Sequence, residues 1–478
     1  MLYGLIGEKL GHSYSCEIHE KIADYHYELR EIPLEELADF FAKRDFKGIN
    51  VTIPYKEAVM PLLDEISDTA KAVGAVNTVV NRVGRLYGYN TDLAGMTAML
   101  RRAGIDPSGK KALVLGTGGT SKTARAVLKS LGAASITLVS RSGREGGVTY
   151  DEAAVKCADT EIIINTTPVG MYPNIGAKPI DISLFPRLCG VADAIYNPLR
   201  SELISDAAER GIPCSGGLYM LAAQAVYARA LFLGEEADES LIGKAYLGTK
   251  LQKQNIVLIG MPSSGKSTVG GLLAESEGRE FIDTDLLISE RACKSIPEIF
   301  AAEGESGFRK LESEVIADVA ARSGCVIATG GGSVLNPANV RKLKQNGVLV
   351  FLDRRPELLC GTADRPLSQN SEAMARLYEQ RYPIYTASAD ITVDSNGTVG
   401  EAAELMKLTA PELKKLGVID GIVREPEGGA QADPSRTLWN LDRTLTACLE
   451  PLLKESAVSL TERRYQKFRA LGRGKEDA

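Results

Sequence analysis

The chain has 478 residues, a formal net charge of −6 and 44% hydrophobic residues. This length exceeds what one hydrophobic core organises, at roughly 100–200 residues per domain. The acidic balance argues against nucleic-acid or membrane-surface partners, because both need an excess of Lys and Arg. The sequence has no signal-peptide pattern, no apolar run of about 18 residues and no Cys-x-x-Cys pair among its eight cysteines, so we expect a reduced, cytoplasmic protein.

Polar residues are concentrated in three segments of the first 100 residues, where strand-like and helix-like stretches alternate as in α/β proteins. The segments are Ser13-Tyr14-Ser15, Asn50 to Lys56 and Asn90-Thr91-Asp92. A lysine such as Lys56 and an aspartate such as Asp92, converging on a carbonyl group, would supply a proton opposite an incoming hydride. A surface lysine and a helix N-cap aspartate are the alternative interpretations.

A glycine loop, Gly116-Thr117-Gly118-Gly119, follows the apolar strand 111–115 and precedes a helix-like run. Glycines there allow a dinucleotide pyrophosphate to approach the backbone at the helix N-terminus. Because Ser121 replaces the third glycine of the usual pattern, an ordinary strand-to-helix turn is the alternative. Arg141 and Arg144 follow the next strand, and a cationic pair at this point suits a 2′-phosphate, which favours NADP over NAD.

A second glycine loop, 260–267, matches the triphosphate-binding pattern G-x-x-x-x-G-K-S and follows the strand 255–259. In this pattern backbone N–H groups surround the phosphates, the lysine neutralises their charge and the final hydroxyl ligates magnesium. The polar segment 248–254 precedes this strand and marks the main domain boundary. The predicted phosphate-binding residues are Gly260, Ser263, Ser264, Gly265, Lys266, Ser267 and Thr268.

Two aspartates, Asp283 and Asp285, end the next predicted strand. Side chains at i and i+2 of an extended segment face the same side, so one carboxylate can serve a magnesium ion while the other binds an acceptor hydroxyl. Helix caps or turns are the alternative roles for these aspartates. Cations and a glycine-rich turn follow at Arg309, 330–333, Arg365 and Arg381.

Six ordered motifs make the first half resemble shikimate dehydrogenase. They are 7–15, 50–57, 74–78, 90–95, 165–171 and 196–199. The resemblance implies a substrate-binding domain at 1–100 plus 216–247, a Rossmann NADP-binding domain at 101–215, and Lys56 with Asp92 as the catalytic pair. The substrate-binding residues that it implies are Ser13, Ser15, Thr52, Asn77, Tyr196 and Gln224.

The glycine loop, the aspartate pair and the later cations together make residues 253–407 resemble shikimate kinase. The resemblance implies a linker at 248–254 and a P-loop kinase domain with a parallel sheet at 255–407. Lys266, Asp285 and Arg365 would act in phosphoryl transfer, and Ser267 and Asp283 would hold the magnesium ion. The substrate-binding residues that it implies are Asp285, Arg309, Gly331, Gly332 and Arg381. Gly271 departs from the family pattern, which has a basic residue there.

The tail, 408–478, is similar to the C-terminal end of the carboxyltransferase alpha subunit of acetyl-CoA carboxylase. The thioester-binding domain of that family is missing, and Gln431-Ala432 stand where the family tends to have His-Arg, so no activity is carried over. Leucines from Leu438 to Leu452 recur at helical spacing. We expect a helical or partly disordered tail, with a self-association or partner-binding helix as the alternative.

These features together predict a bifunctional enzyme of the shikimate pathway, which leads to chorismate and the aromatic amino acids. It would reduce 3-dehydroshikimate with NADPH and phosphorylate shikimate with ATP and Mg²⁺. The partners expected are these small molecules, with neither nucleic acid nor membrane. A regulatory protein that senses the same ligands is the alternative, and quinate remains a second substrate option for the first half.

Overall fold

The computed structural model describes residues 1–11, 13–143, 146–359 and 371–397. Three β-sheets organise these residues, and helices cover each sheet. Within the described ranges, every helix is too short or too polar to cross a bilayer. The α/β architecture predicted from the sequence is confirmed.

The first sheet is mixed, with parallel and antiparallel strand pairs. Its strands are β1 (Tyr3–Gly7), β2 (Tyr27–Glu31), β3 (Gly48–Val51), β4 (Glu65–Ile66), β5 (Thr78–Arg82) and β6 (Arg85–Tyr89), and its helices are α1 (Ser15–Ile22), α2 (Leu37–Lys43), α3 (Asp68–Val73) and α4 (Asp92–Arg102). The strand order is β2-β1-β3-β5-β6-β4. Strands β5 and β6 form an antiparallel hairpin whose two turn residues, Val83 and Gly84, both have positive φ, as tight hairpin turns require.

The second sheet is entirely parallel. Its strands are β7 (Lys111–Leu115), β8 (Ser135–Val139), β9 (Ile162–Asn165), β10 (Gly190–Asp193) and β11 (Cys214–Ser215), and its helices are α5 (Gly119–Ser130), α6 (Tyr150–Lys156) and α7 (Glu202–Glu209). The order is β11-β10-β9-β7-β8. Val114 and Ile164 belong to one core cluster while Leu113 and Ile163 belong to another, so both faces of the sheet are buried. Burial on two faces explains the continuous apolar strands.

Two helices, α8 (Leu218–Leu233) and α9 (Ser240–Lys253), return the chain to the first sheet. Helix α8 is apolar almost all round because it packs between α1, α4 and α9. The segment 248–253, which the sequence marked as a linker, is the last part of α9.

The third sheet is also parallel. Its strands are β12 (Asn255–Ile259), β13 (Phe281–Asp283), β14 (Val326–Ala328), β15 (Gly347–Asp353) and β16 (Ile391–Asp394), and its helices are α10 (Lys266–Glu277), α11 (Thr284–Ala292), α12 (Ile296–Ala321), α13 (Pro337–Asn346) and α14 (Ser371–Ser388). The order is β13-β14-β12-β15-β16, which puts β12 in the centre. Ligands of such sheets bind beyond the carboxyl ends of the central strands, where the loop 260–265 lies.

Candidate active sites

Lys56 and Asp92 form a short ion pair in the first unit. Lys56 Nζ lies 2.6 Å from Asp92 Oδ2, and their side chains are only 16% and 9% exposed. Thr91, not Asp92, is the N-cap residue of α4, so the alternative role of Asp92 as a cap is not observed. Limited exposure strengthens a charge-assisted hydrogen bond of this kind and fixes the direction of the ammonium group.

Thr91 joins two predicted substrate residues to this pair. Asn77 Nδ2 donates to Thr91 Oγ1 at 3.1 Å, and the Thr91 N–H donates to Asn77 Oδ1 at 2.7 Å. Thr91 Oγ1 also lies 3.4 Å from Gln224 Oε1 of α8. The structure therefore brings Asn77 and Gln224 next to Asp92. The sequence prediction did not assign a role to Thr91, although it lies inside a polar segment that the prediction singled out.

Gln224 reaches this network because α4 and α8 pack closely at Gly95. A Cβ atom at Gly95 would lie 2.7 Å from the Met220 carbonyl oxygen and 3.1 Å from Gln224 Cβ. Contacts this short leave no room for a side chain. The glycine thus sets the distance between the two helices and, with it, the position of Gln224.

The remaining predicted substrate residues line up at the ends of β1, β3 and β10. Ser13 Oγ donates to Ser15 Oγ at 3.1 Å, and the ring of Tyr14 between them packs against Tyr196 at 5.1 Å. Burial raises the pKa of Tyr196 to about 12, so its hydroxyl is neutral at physiological pH. Thr52 follows β3, and a Cβ at Gly7 would approach its methyl group to 2.7 Å.

The first glycine loop lies beside Lys56. Gly116 has φ of 104°, and a Cβ there would lie 3.0 Å from Thr166 Oγ1, so both its conformation and its surroundings require glycine. Gly118 faces open space, whereas a Cβ at Gly119 would lie 4.0 Å from Lys56 Cδ. The open loop at the start of α5 fits a pyrophosphate, and its position places such a cofactor next to the Lys56–Asp92 pair.

Two arginines were predicted to bind a 2′-phosphate. Arg141 is exposed and lies just after β8. It is at the same edge of the sheet as the glycine loop, because both follow the carboxyl ends of adjacent parallel strands, β8 and β7. Arg144 lies outside the described residues. A surface ion pair between Lys122 of α5 and Glu57, at 2.8 Å, further ties the loop helix to the segment that carries Lys56.

The second glycine loop has the backbone of a phosphate-binding loop. Gly260, Ser263 and Gly265 have φ of 146°, 63° and 90°. Lys266 is buried, and its Nζ donates to the carbonyl oxygens of Gly260 at 3.0 Å and Met261 at 2.8 Å. The Ser264 hydroxyl is buried without a hydrogen-bond partner in the described part of the chain. These features fit a bound polyphosphate. Thr268 is exposed in the first turn of α10.

The predicted magnesium residues are in contact. Ser267 Oγ donates to Asp283 Oδ2 at 2.6 Å. The other oxygen, Asp283 Oδ1, accepts from the N–H groups of Asp285 at 2.9 Å and Leu286 at 3.3 Å, so Asp283 is also the N-cap of α11. A hydroxyl and a carboxylate side by side at a phosphate loop fit Mg²⁺.

The expectation that Asp283 and Asp285 share one extended segment is wrong. Strand β13 ends at Asp283, and Asp285 lies in the first turn of α11 because the Asp283 side chain starts that helix. Asp285 still lies next to the predicted substrate-binding turn, since a Cβ at Gly330 would lie 2.5 Å from Asp285 Oδ1. The relative position of the two carboxylates is therefore set by the start of α11, and not by the alternation of side chains along a strand.

Arg309 and Arg381 converge on the turn at 330–332. A Cβ at Gly332 would overlap the Arg309 guanidinium group. Arg381 is buried, and its Nη1 donates to the Gly331 carbonyl oxygen at 3.0 Å. Because Gly331 and Gly332 carry no side chains, both arginines can approach this turn. Asp285 lies next to the same turn. Arg365 lies outside the described residues.

Glu312 and Tyr385 are two further residues of this site that the sequence prediction missed. Glu312 is 1% exposed, accepts from Arg309 Nη1 at 2.8 Å and accepts from Ser333 Oγ at 2.8 Å. The Tyr385 hydroxyl donates to the Gly331 carbonyl oxygen. The spacing of Arg309 and Glu312, three residues apart on a helix, is a signal from which their ion pair could have been predicted.

Comparisons with known proteins agree with both sites. The family model described as shikimate dehydrogenase substrate binding domain matches residues 5–79, shikimate kinase matches 262–409, and acetyl co-enzyme A carboxylase carboxyltransferase-like matches 382–472. A shikimate dehydrogenase (NADP(+)) from Clostridium perfringens is 37% identical over 262 residues, which are 50% of this chain and 94% of the relative. A Clostridium beijerinckii relative of the same name is 36% identical, over 51% of this chain and 96% of the relative.

A solved structure supports the fold of the first half. The chorismate mutase/shikimate 5-dehydrogenase fusion protein from Clostridium acetobutylicum is 35% identical, covers 52% of this chain and 97% of its own, and has a TM-score of 0.50. The fold and the two sites thus define an enzyme that joins a dinucleotide-binding dehydrogenase to a P-loop kinase. More narrowly, the chain belongs to the shikimate dehydrogenase family over its first half and continues into a shikimate kinase unit. The predicted resemblance of the tail is also confirmed.

Proposed function

We propose that this chain catalyses two consecutive reactions, the NADPH-dependent reduction of 3-dehydroshikimate to shikimate and the ATP-dependent phosphorylation of the shikimate 3-hydroxyl. The observation that carries the proposal is the position of the Lys56–Asp92 pair directly beside the first glycine loop. A proton donor next to a dinucleotide site is what the reduction of a carbonyl group needs. The kinase unit on the same chain would use the product.

In the first reaction Lys56 is the proton donor. When bound, NADPH supplies a hydride to the carbonyl carbon of the substrate. Lys56 Nζ gives a proton to the carbonyl oxygen, so that the C=O group becomes a CH–OH group. Asp92 holds the ammonium group in place at 2.6 Å and stabilises its charge before the transfer. Asn77, Gln224 and the serines at 13 and 15 would bind the hydroxyl and carboxylate groups of the ring.

In the second reaction Asp285 orients the attacking hydroxyl. ATP with Mg²⁺ supplies the phosphoryl group, and Ser267 and Asp283 would hold the ion. Lys266 lies at the loop where the terminal phosphates would bind and neutralises their charge. Arg309 and Arg381 would bind the substrate carboxylate by charge-assisted hydrogen bonds. The hydroxyl loses its proton to solvent or to Asp285 as the new P–O bond forms and the bond to ADP breaks.

NADP(H), ATP and Mg²⁺ are the cofactors of this proposal. The name of the clostridial relatives includes NADP(+), and the exposed Arg141 after β8 would pair with a 2′-phosphate. The roles of Arg144 and Arg365 remain predictions, as does the role of the tail. All six cysteines in the described ranges are free thiols, and a cytoplasmic location stays part of this proposal.

A pair of spectrophotometric assays tests the proposal against a ligand-sensing role. Purified protein with 3-dehydroshikimate and NADPH should oxidise NADPH, and with shikimate and MgATP it should release ADP. Ligand binding, measured by calorimetry, without either turnover would identify a sensor and overturn the proposal. Quinate with NADP⁺ in the first assay measures whether the dehydrogenase half also accepts that substrate.

A further inference from the structure

The kinase unit holds a loop of the dehydrogenase unit through its helix α13. The loop 194–201 follows β10 and carries Tyr196. Its Leu199 N–H donates to Asn346 Oδ1 at 2.8 Å, and its Arg200 N–H donates to the Gln345 carbonyl oxygen at 2.9 Å. Asn346 and Gln345 are each 1% exposed, whereas Leu199 is half-buried and Arg200 is exposed.

Asn346 is also bonded on its other side. Its Nδ2 donates to the carbonyl oxygens of Ala320 at 3.2 Å and Arg322 at 3.3 Å, at the end of α12. The oxygen of the amide therefore accepts from the dehydrogenase loop, while the nitrogen donates to the kinase unit. The N–H donor and the two carbonyl acceptors are all consistent with this one orientation of the amide group. The Asn346 side chain in this orientation therefore links the two units.

A second wall of the dehydrogenase pocket touches the same part of the kinase unit. Ser323 follows the carbonyl groups that Asn346 binds, and it lies near the Tyr14 hydroxyl, which is buried without a hydrogen-bond partner of normal geometry among the described residues. Lys253 Nζ lies 4.6 Å from the centre of the Tyr14 ring. Tyr14 in turn packs on Tyr196, between Ser13 and Ser15. Tyr196 thus lies in the loop that Asn346 bonds at Leu199, and Tyr14 lies near Ser323, the residue after the Arg322 carbonyl group that Asn346 also bonds.

Charged and polar contacts fix the helix that carries Asn346. Arg341 of α13 pairs with Glu202 at 2.6 Å, with Glu209 at 2.8 Å and with Asp206, all three on α7. Gln345 Nε2 donates to the Ile175 carbonyl oxygen at 3.1 Å. A network of this density holds α13 in one register on the dehydrogenase unit, whereas a single surface ion pair would contribute little.

We propose that Asn346 of the kinase unit is a positioning residue for the dehydrogenase reaction. By holding Leu199, it keeps Tyr196 and, through Tyr14, the serine pair in the geometry that binds 3-dehydroshikimate. The inference rests on the proposed reduction reaction. Removal of the side chain takes the partner from the half-buried Leu199 N–H and from the Ala320 carbonyl oxygen, while the Arg322 carbonyl oxygen keeps its bond from Asn255 Nδ2, so the loop relaxes. Small displacements of substrate-positioning groups have large kinetic effects.

The kinase reaction serves as an internal control. Asn346 precedes β15, whereas the phosphate loop follows the other end of the neighbouring parallel strand β12. A substitution at Asn346 therefore lies at the end of the kinase sheet opposite to the phosphate loop. Asn339 is the matched control residue, because it has the same side chain, the same helix and the same 1% exposure, yet it donates to Ser333 inside the kinase unit.

The test compares full-length Asn346→Ala with Asn339→Ala. Asn346→Ala should raise KM for 3-dehydroshikimate by up to roughly tenfold, the effect of losing one neutral hydrogen bond. Its KM for NADPH should stay unchanged, and Asn339→Ala should leave both constants of the dehydrogenase at their original values. Asn346→Asp keeps the oxygen that accepts from Leu199 but places a buried carboxylate oxygen against the Ala320 and Arg322 carbonyl oxygens, so it should not restore the affinity. Equal KM values in Asn346→Ala and the unaltered protein, or equal defects in the two alanine variants, would overturn the inference.

Hydrogen–deuterium exchange separates this inference from the proposed reaction. Peptides that contain Leu199 and Arg200 should exchange faster in Asn346→Ala than in Asn339→Ala, whether or not the substrate is correctly identified. Faster exchange in a protein that never oxidises NADPH would remove the proposed reaction while the structural link stands. Unchanged exchange in Asn346→Ala would remove the link.

Discussion

In the proposed reduction, Lys56 donates a proton while it is bound to Asp92. Its ammonium group cannot be replaced by solvent in a pocket where both partners are less than one fifth exposed. Lys56→Met should therefore lower the dehydrogenase kcat by about 10²- to 10⁴-fold, the usual contribution of a positioned general acid. Steady-state NADPH oxidation measures the change.

Two comparisons make this prediction specific. Lys71→Met removes an exposed lysine of α3 and should leave kcat unchanged. Phosphorylation of shikimate by the Lys56→Met variant should match that of the unaltered protein, because the kinase unit has its own site. A variant that loses both activities would point to misfolding and not to a lost proton donor.

Asp193 is a buried carboxyl group that holds the start of the Tyr196 loop. It accepts from Ser201 Oγ at 2.6 Å, from the Ile195 N–H at 3.0 Å and from Asn165 Nδ2 at 3.0 Å. Burial, the largest effect, raises its pKa to about 6, and the three hydrogen bonds oppose the increase. In the unfolded chain the pKa is near the ordinary value for aspartate, which is lower.

This difference predicts a pH-dependent contribution to stability. Between about pH 4 and pH 6 the folded state keeps a proton that the unfolded state has lost, so the contribution falls by about 1.4 kcal/mol per pH unit as pH rises. Above pH 6 both states are ionised and the contribution is constant. Asp193→Asn lacks this titration. The difference in thermal midpoint between the two proteins should therefore change between pH 4 and pH 6, and parallel curves would contradict the assignment.

Helix α10 contains two adjacent glycines whose surroundings differ. A Cβ at Gly270 would lie 2.6 Å from the ring of Phe281 on β13, whereas a Cβ at Gly271 meets nothing within 4 Å. Gly270→Ala should destabilise the kinase unit by about 1–3 kcal/mol through overpacking. Gly271→Ala should stabilise it by about 1 kcal/mol, because alanine favours the helix. Opposite shifts of the kinase-unit thermal midpoint are expected, and shifts of the same sign would show that the helix packs differently.

The elements show which parts of the fold the sequence could predict. The glycine loops 116–119 and 260–267 each lie between an apolar strand and a helix, and local periodicity is sufficient to place both. The end of β13 was not predictable in this way. Asp283 stops the strand because its side chain caps α11, and a capping aspartate looks the same in sequence as one on a strand.

Site residues could be predicted where they belong to a recognisable sequence motif. Lys56, Asp92 and Lys266 were assigned from their sequence neighbours, and the structure places Lys56 against Asp92 and Lys266 on the phosphate loop. Thr91 and Glu312 were missed because their importance comes from contacts with residues far along the chain or one helical turn away. Hydrogen-bond partners that are distant in sequence leave no local pattern in a single sequence.

The dehydrogenase unit contacts the kinase unit at the amino end of the kinase sheet, away from the phosphate loop. Helix α13 sets the dehydrogenase against the N-terminal end of β15, while the phosphate loop leaves the C-terminal end of β12. A five-residue strand separates these ends by about 15 Å, at 3.3 Å per residue. For the proposed reactions we therefore expect shikimate to leave the first site before it binds at the second.

This arrangement predicts free exchange of the intermediate. An added independent shikimate kinase should capture newly formed shikimate in proportion to its share of the total kinase activity. Transient kinetics with an inactive competitor as the control measures the capture. Shikimate that remains inaccessible to a large excess of active competitor would require direct transfer and would contradict this expectation.

The central claim is that one chain performs a reduction and then a phosphorylation of the same ring. Chromatographic product analysis tests it most directly, with 3-dehydroshikimate, NADPH and MgATP supplied together to the full chain, to Lys56→Met and to Lys266→Met. The full chain should produce shikimate 3-phosphate, Lys56→Met should leave 3-dehydroshikimate unchanged, and Lys266→Met should stop at shikimate. Unchanged 3-dehydroshikimate with the full chain, or a phosphorylated product formed without NADPH, would contradict the claim.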